Sequence, residues 1–252
     1  MGRIRSVFEE PVNGGTKIWR YCDVTKLFSL VDRKALFFSR IDKLEDRFEG
    51  SFPKTNISIR AEEYGKYFAE NADTMSKFHS YAFEQIRKLC LVNCWCASEY
   101  EIAAMWKFHI NGAHGIAIQS TIDRFKNSFT DVLDDDIFVG NVRYIDFQSE
   151  RINEGRLLDR FFCKRRSFGF ECEFRAVILR FQESLQQGVI NFDRPPYEHG
   201  KYIEVDLDRL IEAVFVSPSA PTWFVELVQS VIERYGLKKN VKQSDLDDDP
   251  VF

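Results

Sequence analysis

The chain has 252 residues, 44% hydrophobic and 15% aromatic, with 35 basic against 39 acidic side chains for a net charge of −4. That composition supplies one large core and gives no global attraction to nucleic acid or to an anionic membrane. No apolar stretch approaches the ~20 residues that cross a bilayer, and MGRIRSVFEE lacks the apolar centre of a signal peptide, so a cytoplasmic protein is expected.

Residues 1–16 read as an N-terminal segment. Lys17 to Tyr21 then forms a strand, followed by a helix that Asp23 caps, with Val24, Leu27, Phe28 and Val31 on one face. Ala35 to Ser39 is a strand, IDKLEDRFEG a polar turn, and Pro53 and Asn56 punctuate a loop. A single long helix over about residues 60 to 88 follows, with Tyr64, Phe68, Met75, Phe78, Tyr81 and Ile86 facing inward.

The continuous apolar run LCLVNCWCAS, residues 89 to 98, is a buried strand. A helix from Tyr100 to Ile110 follows, stopped by Asn111 and Gly112. Ser98 caps that helix, and Glu101 completes the reciprocal pair. HGIAIQS and GNVRYIDF are strands, SERINEGRLLDRFFCKRRSF a helix, and CEFRAVILRF the clearest strand of all. YIEVDL and AVFVSP add two more strands, and a last helix runs from Pro221 to Gly236. The acidic tail, residues 237–252, is expected to fray at DLDDDPVF. Strands that follow one another without crossover helices imply a single α+β domain over residues 17–236, with a mixed, largely antiparallel sheet flanked by helices.

The sharpest chemical feature is FGFECEFR, residues 168 to 175. Glu171 and Glu173 stand two apart at a strand start, so strand alternation points both to one face with Arg175. Like charges raise one carboxyl pKa while a guanidinium lowers the other, which suits acid–base work or stabilisation of a cationic transition state. The alternative is an ordinary ion pair on an exposed strand edge. If Glu173 sits on a cleft surface, Glu173→Gln removes activity and leaves the fold.

Arg20 puts a cation in an apolar strand. Trp95 and Trp106 are candidates for the wall of a binding site, with core packing as the other reading. The densest basic cluster is Lys164, Arg165 and Arg166, a solvated face or a docking patch. Cys90, Cys94 and Cys96 with His109 and His114 invite zinc, but the paired C-x-x-C turns of structural sites are missing, and no metal site is assigned. The six cysteines, at 22, 90, 94, 96, 163 and 172, suit reduced buried thiols.

IWRY, ALFFSRIDKLEDRFEG, NCWCASEYEIAAMWKFHINGAHGIAI, VRYIDF, FGFECEFRAVI and IEAVFVSP together resemble the bacterial family catalogued as domain of unknown function 2971, over roughly residues 17 to 236. In its turn motif this chain reads Glu45, Asp46, Arg47, Phe48, Glu49, without the usual proline. The motif order is in turn similar to that of ADP-ribosyltransferases. At the middle motif, where those enzymes carry serine-threonine-serine, this chain has Cys94, Trp95, Cys96, Ala97 and Ser98.

That resemblance implies an ADP-ribosyltransferase-like fold and NAD as substrate. Glu173 would stabilise the oxocarbenium-like transition state and Glu171 would orient or deprotonate the acceptor. Arg20 would anchor the dinucleotide, and Ser98, Trp95, Trp106 and Arg175 are the further candidates for the cofactor site. It also implies an effector in bacterial toxin or antiphage defence that modifies a macromolecule, protein or nucleic acid, or hydrolyses NAD. Two rivals remain at this point: a non-enzymatic sensor of a nucleotide or phage component, and a metal-dependent nuclease built on Glu171, Glu173 and Asp46.

Overall fold

The computed structural model describes residues 3–7, 13–110, 112–129, 136–181, 185–186, 189–190, 195–248 and 250. In chain order it begins with strand β1 (Ile4–Ser6), β2 (Lys17–Asp23), helix α1 (Val24–Arg33) and β3 (Ala35–Arg40). Helices α2 (Lys54–Phe68) and α3 (Ala72–Ile86) follow, then β4 (Cys90–Ala97), α4 (Ala103–His109), β5 (Gly115–Thr121), α5 (Ile122–Ser128) and β6 (Ile137–Asn141). Next come β7 (Arg143–Ile145), β8 (Cys163–Arg165), β9 (Glu173–Leu179), and the short β10 (Leu185–Gln186) and β11 (Val189–Ile190). The chain continues through β12 (Gly200–Glu204), α6 (Leu207–Leu210), β13 (Ala213–Val216), α7 (Thr222–Arg234) and β14 (Val241–Gln243).

The main sheet runs β1-β6-β9-β4-β2-β5-β13-β14, with β3 and then β12 branching from β4. Its two outermost pairings, β1 with β6 and β13 with β14, are parallel, and the pairings between them are antiparallel. The expected mixed sheet flanked by helices is therefore present in a single α+β fold. It is wider than expected: β1 and β14 come from the two end segments placed outside the domain. In the tail, Val241 to Gln243 pair with Val214 to Val216, and within DLDDDPVF the described Asp245–Asp247 form a short 3-10 turn that Ser244 caps.

Side-chain alternation decides the layering. Along β9, Phe174, Ala176 and Ile178 enter the main core with Trp95 and Phe125, while Glu173, Arg175 and Val177 face the other side, where Val177 packs with Phe161 and Phe162. Helix α1 buries Leu27, Leu30 and Val31 on the main core, and Asp23 caps it by accepting from the Lys26 amide at 3.0 Å.

Two helical expectations fail. The long helix over residues 60 to 88 is a hairpin of α2 and α3, broken at Ala69–Asn71, where AEN carries no apolar residue large enough to continue a stripe. Asn56 is not loop punctuation. It is buried inside α2 and uses both ends of its amide, donating to Ile152 O at 2.7 Å and accepting from Ile152 N at 2.9 Å. Residues 149 to 168 form turns, a short 3-10 stretch and β8 instead of an α-helix, because Asp159 to Cys163 are buried consecutively and a one-sided helix cannot achieve that. Helix α4 is shorter than expected, and Asn111 lies outside the described residues. All six cysteines are unpaired.

Candidate functional site

A split in the sheet makes the site. Along one edge, β4 pairs with β2 at its far end, Trp19 with Cys96 and Ile18 with Ala97. At its near end it pairs with β3, Ser39 with Val92 and Arg40 with Leu91. Between those pairings the backbone of Asn93 to Trp95 has no neighbouring strand on that edge, and a cleft of about 640 Å³ opens there. Side chains replace the missing ladder: Arg20 Nη1 donates to Cys94 O at 3.3 Å, Asn93 Nδ2 to Phe37 O at 2.9 Å, and Trp95 Nε1 to Asn93 Oδ1 at 2.7 Å.

On one flank of the cleft stand three carboxylates and two cations. Arg175 grips Glu173 through Nε at 2.6 Å and Nη2 at 3.0 Å, and its Nη1 reaches Glu49 Oε2 at 2.9 Å and Phe161 O at 2.8 Å. Lys164 Nζ lies 2.5 Å from Glu171 Oε2, 3.3 Å from Glu49 Oε1 and 3.4 Å from Glu173 Oε2. The cluster carries one net negative charge, buried in the fold yet open to the cleft. Nearby, Arg165 forms a two-toothed pair with Asp46 at 2.8 and 3.1 Å.

The two glutamates titrate in opposite directions. Burial opposes ionisation of Glu173, but the Arg175 guanidinium and then the Lys164 ammonium overcome it and hold the carboxyl at about 2. Glu171 is raised by burial. Lys164 opposes this, but it is shared with Glu173 and Glu49, whose charges push Glu171 further up. Burial is thus the main cause of the rise, and the sharing of one ammonium among three carboxylates adds to it. Lys164 rises in turn: burial lowers it, and its three acidic neighbours outweigh burial. Burial lowers Arg20, which has no carboxylate within salt-bridge distance among the described residues. Cys94 is raised well above the thiol range by burial and then by Glu173, so it is a protonated donor and not a nucleophile.

Of the residues singled out in the sequence, Glu171, Glu173, Arg175, Arg20 and Trp95 all line the cleft. Ser98 and Trp106 do not. Ser98 lies past the end of β4, where its Oγ donates to Tyr100 O at 2.7 Å and its carbonyl receives Trp19 Nε1 at 2.8 Å. It does not cap the next helix either: Ile102 stands at that position, and the Glu101 carboxylate is drawn off to Trp106 Nε1 at 2.9 Å. Trp106 is core, packed edge-on against Tyr21 with ring centres 5.1 Å apart.

The strand-edge alternative for E-x-E-x-R fails, since β9 is flanked by β4 and β6. The alternation argument fails too. Glu171 ends a 3-10 turn, and Cys172, at φ 44°, breaks the strand pattern before Glu173. The carboxylates converge because Lys164 draws them together. Lys164 and Glu49 are the members the sequence did not single out. Lys164 lies in the basic cluster and Glu49 in the turn motif, with no local sign in the sequence that they meet.

The nuclease ligand set does not assemble. Among the described residues no group of three or more His, Cys, Asp or Glu is arranged to hold a metal ion, and Asp46 is occupied by Arg165. No described helix is long and apolar enough to cross a membrane. No protein-family model matches the sequence, and no curated protein matches it.

Proposed function

We propose that the cleft takes NAD and that the chain breaks its N-glycosidic bond, as an ADP-ribosyltransferase-like enzyme or an NAD glycohydrolase. The observation that carries this reading is Glu173, held ionised at the cleft by Arg175, with Glu171 of raised pKa beside it on the shared Lys164. When the bond from the ribose C1′ to nicotinamide breaks, its electron pair leaves with the nicotinamide, and positive charge builds on the ribose. A fixed carboxylate stabilises that charge. The acceptor oxygen, from water or a macromolecule, bonds to C1′, and its proton passes to ionised Glu171. Arg20, unmatched by any carboxylate among the described residues and lying on the same cleft, suits a pyrophosphate.

One observation favours a second reading. Both oxygens of Glu173 are already engaged by Arg175, as in a site that recognises a nucleotide without reacting. Incubation with NAD separates the two: the enzyme releases nicotinamide and loses that activity in Glu171→Gln, whereas the sensor binds NAD and leaves it intact. Neither release nor binding by the folded protein overturns both.

A further inference from the structure

The hairpin of α2 and α3 has no buried side chain among its described residues between 61 and 84, an unusual state for two paired helices of 15 residues each. Its large apolar residues stand in solvent instead: Tyr67 is 80% exposed, Phe78 61%, Tyr81 48% and Phe68 43%. Phe68 and Phe78 belong to one band. Phe68 stacks on Tyr64 with ring centres 5.6 Å apart, Tyr64 on His79 at 5.3 Å, and His79 on Phe78 at 6.0 Å. At the root, His79 meets Phe83 and Phe83 meets Phe52, so the band is anchored to the body of the fold. An exposed aromatic band of this extent marks an interaction surface.

Charge identifies what covers it. The outer half of the hairpin is acidic on balance, with Glu62, Glu63 and Glu70 outnumbering Lys66 and unmatched by described salt bridges, while Asp73 pairs with Lys77 at 2.6 Å. The root is basic on balance, with Lys54, Arg87 and Lys88 against Glu84, and Arg47 stands exposed beside it. Neither nucleic acid nor an anionic membrane matches an acidic outer half. A second hairpin laid antiparallel does, because each acidic outer half then faces the partner's basic root while the aromatic bands meet between them. Two such hairpins complete a four-helix arrangement that buries the stripe each leaves open, over helices about 22 Å long.

We infer that the chain forms a two-fold symmetric dimer through antiparallel packing of its α2–α3 hairpins. This surface lies apart from the cleft, and the inference does not depend on the proposed chemistry. Sedimentation of the full chain tests it, with circular dichroism confirming the fold of every variant. The wild type is expected at twice the 29.6 kDa chain mass at tens of micromolar, and Phe78→Glu as a monomer with its dissociation constant raised at least 100-fold. Glu62→Lys with Glu63→Lys is expected to weaken the dimer at least tenfold, and adding Lys54→Glu with Lys88→Glu to restore it. A wild type that stays monomeric at 100 μM overturns the inference, as does a dimer indifferent to Phe78→Glu. Failure of the second charge pair to rescue the first overturns the antiparallel arrangement.

Discussion

Arg175 holds both oxygens of Glu173, at 2.6 and 3.0 Å, from two positions along the same strand. Both side chains are buried, Glu173 being only 4% exposed, so the pair is structural as well as chemical. The expectation that Glu173→Gln spares the fold was drawn for a residue on a cleft surface, and burial reverses it. An amide cannot balance the guanidinium, and Glu49 alone is left to do so. Removing one partner of a buried pair costs about 3–5 kcal/mol. Urea unfolding of Glu173→Gln is expected to show a loss of that order, with Glu171→Gln losing none, because the ionised form of Glu171 is the one the fold disfavours. Equal stability of Glu173→Gln and wild type would contradict the buried pairing.

Acid stability follows from the same cluster. Glu173 is held at about 2 against an ordinary 4.5, so its contribution is full above the unfolded value and is lost as pH falls from about 4.5 to about 2. Glu171 is raised, and its effect has the opposite sign: its ionised form costs the fold, and acidification through its folded pKa relieves that cost. Stability is therefore expected to rise on mild acidification and to fall steeply below pH 4.5. Glu171→Gln should abolish the rise and keep the fall. Chemical denaturation across pH 2.5 to 7 reads both limbs, and a monotonic profile in the wild type would count against the opposed titration.

Away from the cleft, Lys34 ends helix α1 at φ 48°, in the left-handed region that strains a side chain. Lys34→Gly is expected to stabilise the protein by about 0.5–1 kcal/mol with no change in the proposed NAD turnover. Thermal unfolding measured beside an activity assay checks both parts.

Local patterns in the sequence carried the strands and the cap at Asp23, because each is decided within a few residues by alternation or by one side chain. The same holds in part for E-x-E-x-R, whose three charged side chains do line one cleft, but not through strand alternation: the positive φ of Cys172 leaves no trace in a pattern of residue types. What could not be read was long-range. Lys164 meets Glu49 across 115 residues, and the cleft exists because β2 and β3 part along β4, a property of strand order. Helix α2 misled for a related reason. Its tip shows no sharp breaker, and its apolar face turns to solvent, where periodicity alone assumes a core.

Arg20 is where fold and proposed chemistry are most closely joined. Its Nη1 satisfies Cys94 O at the split in the sheet, its guanidinium lies 5.9 Å from the centre of the Trp95 ring, and its remaining donors meet no carboxylate among the described residues. Arg20→Ala is expected to cost about 1 kcal/mol of stability, since water in the cleft can take over the exposed carbonyl. NAD affinity should fall much more, about 10–100-fold, the worth of charge-assisted hydrogen bonds to a pyrophosphate. Arg20→Lys keeps the charge without the planar fork and should lie between the two. Calorimetric titration with NAD measures the affinities, and adenosine, which lacks phosphate, provides the contrast: its binding should be equal in wild type and Arg20→Ala. Equal NAD affinity in the two proteins would leave Arg20 as a strand-closing residue alone and move the phosphate site elsewhere in the cleft.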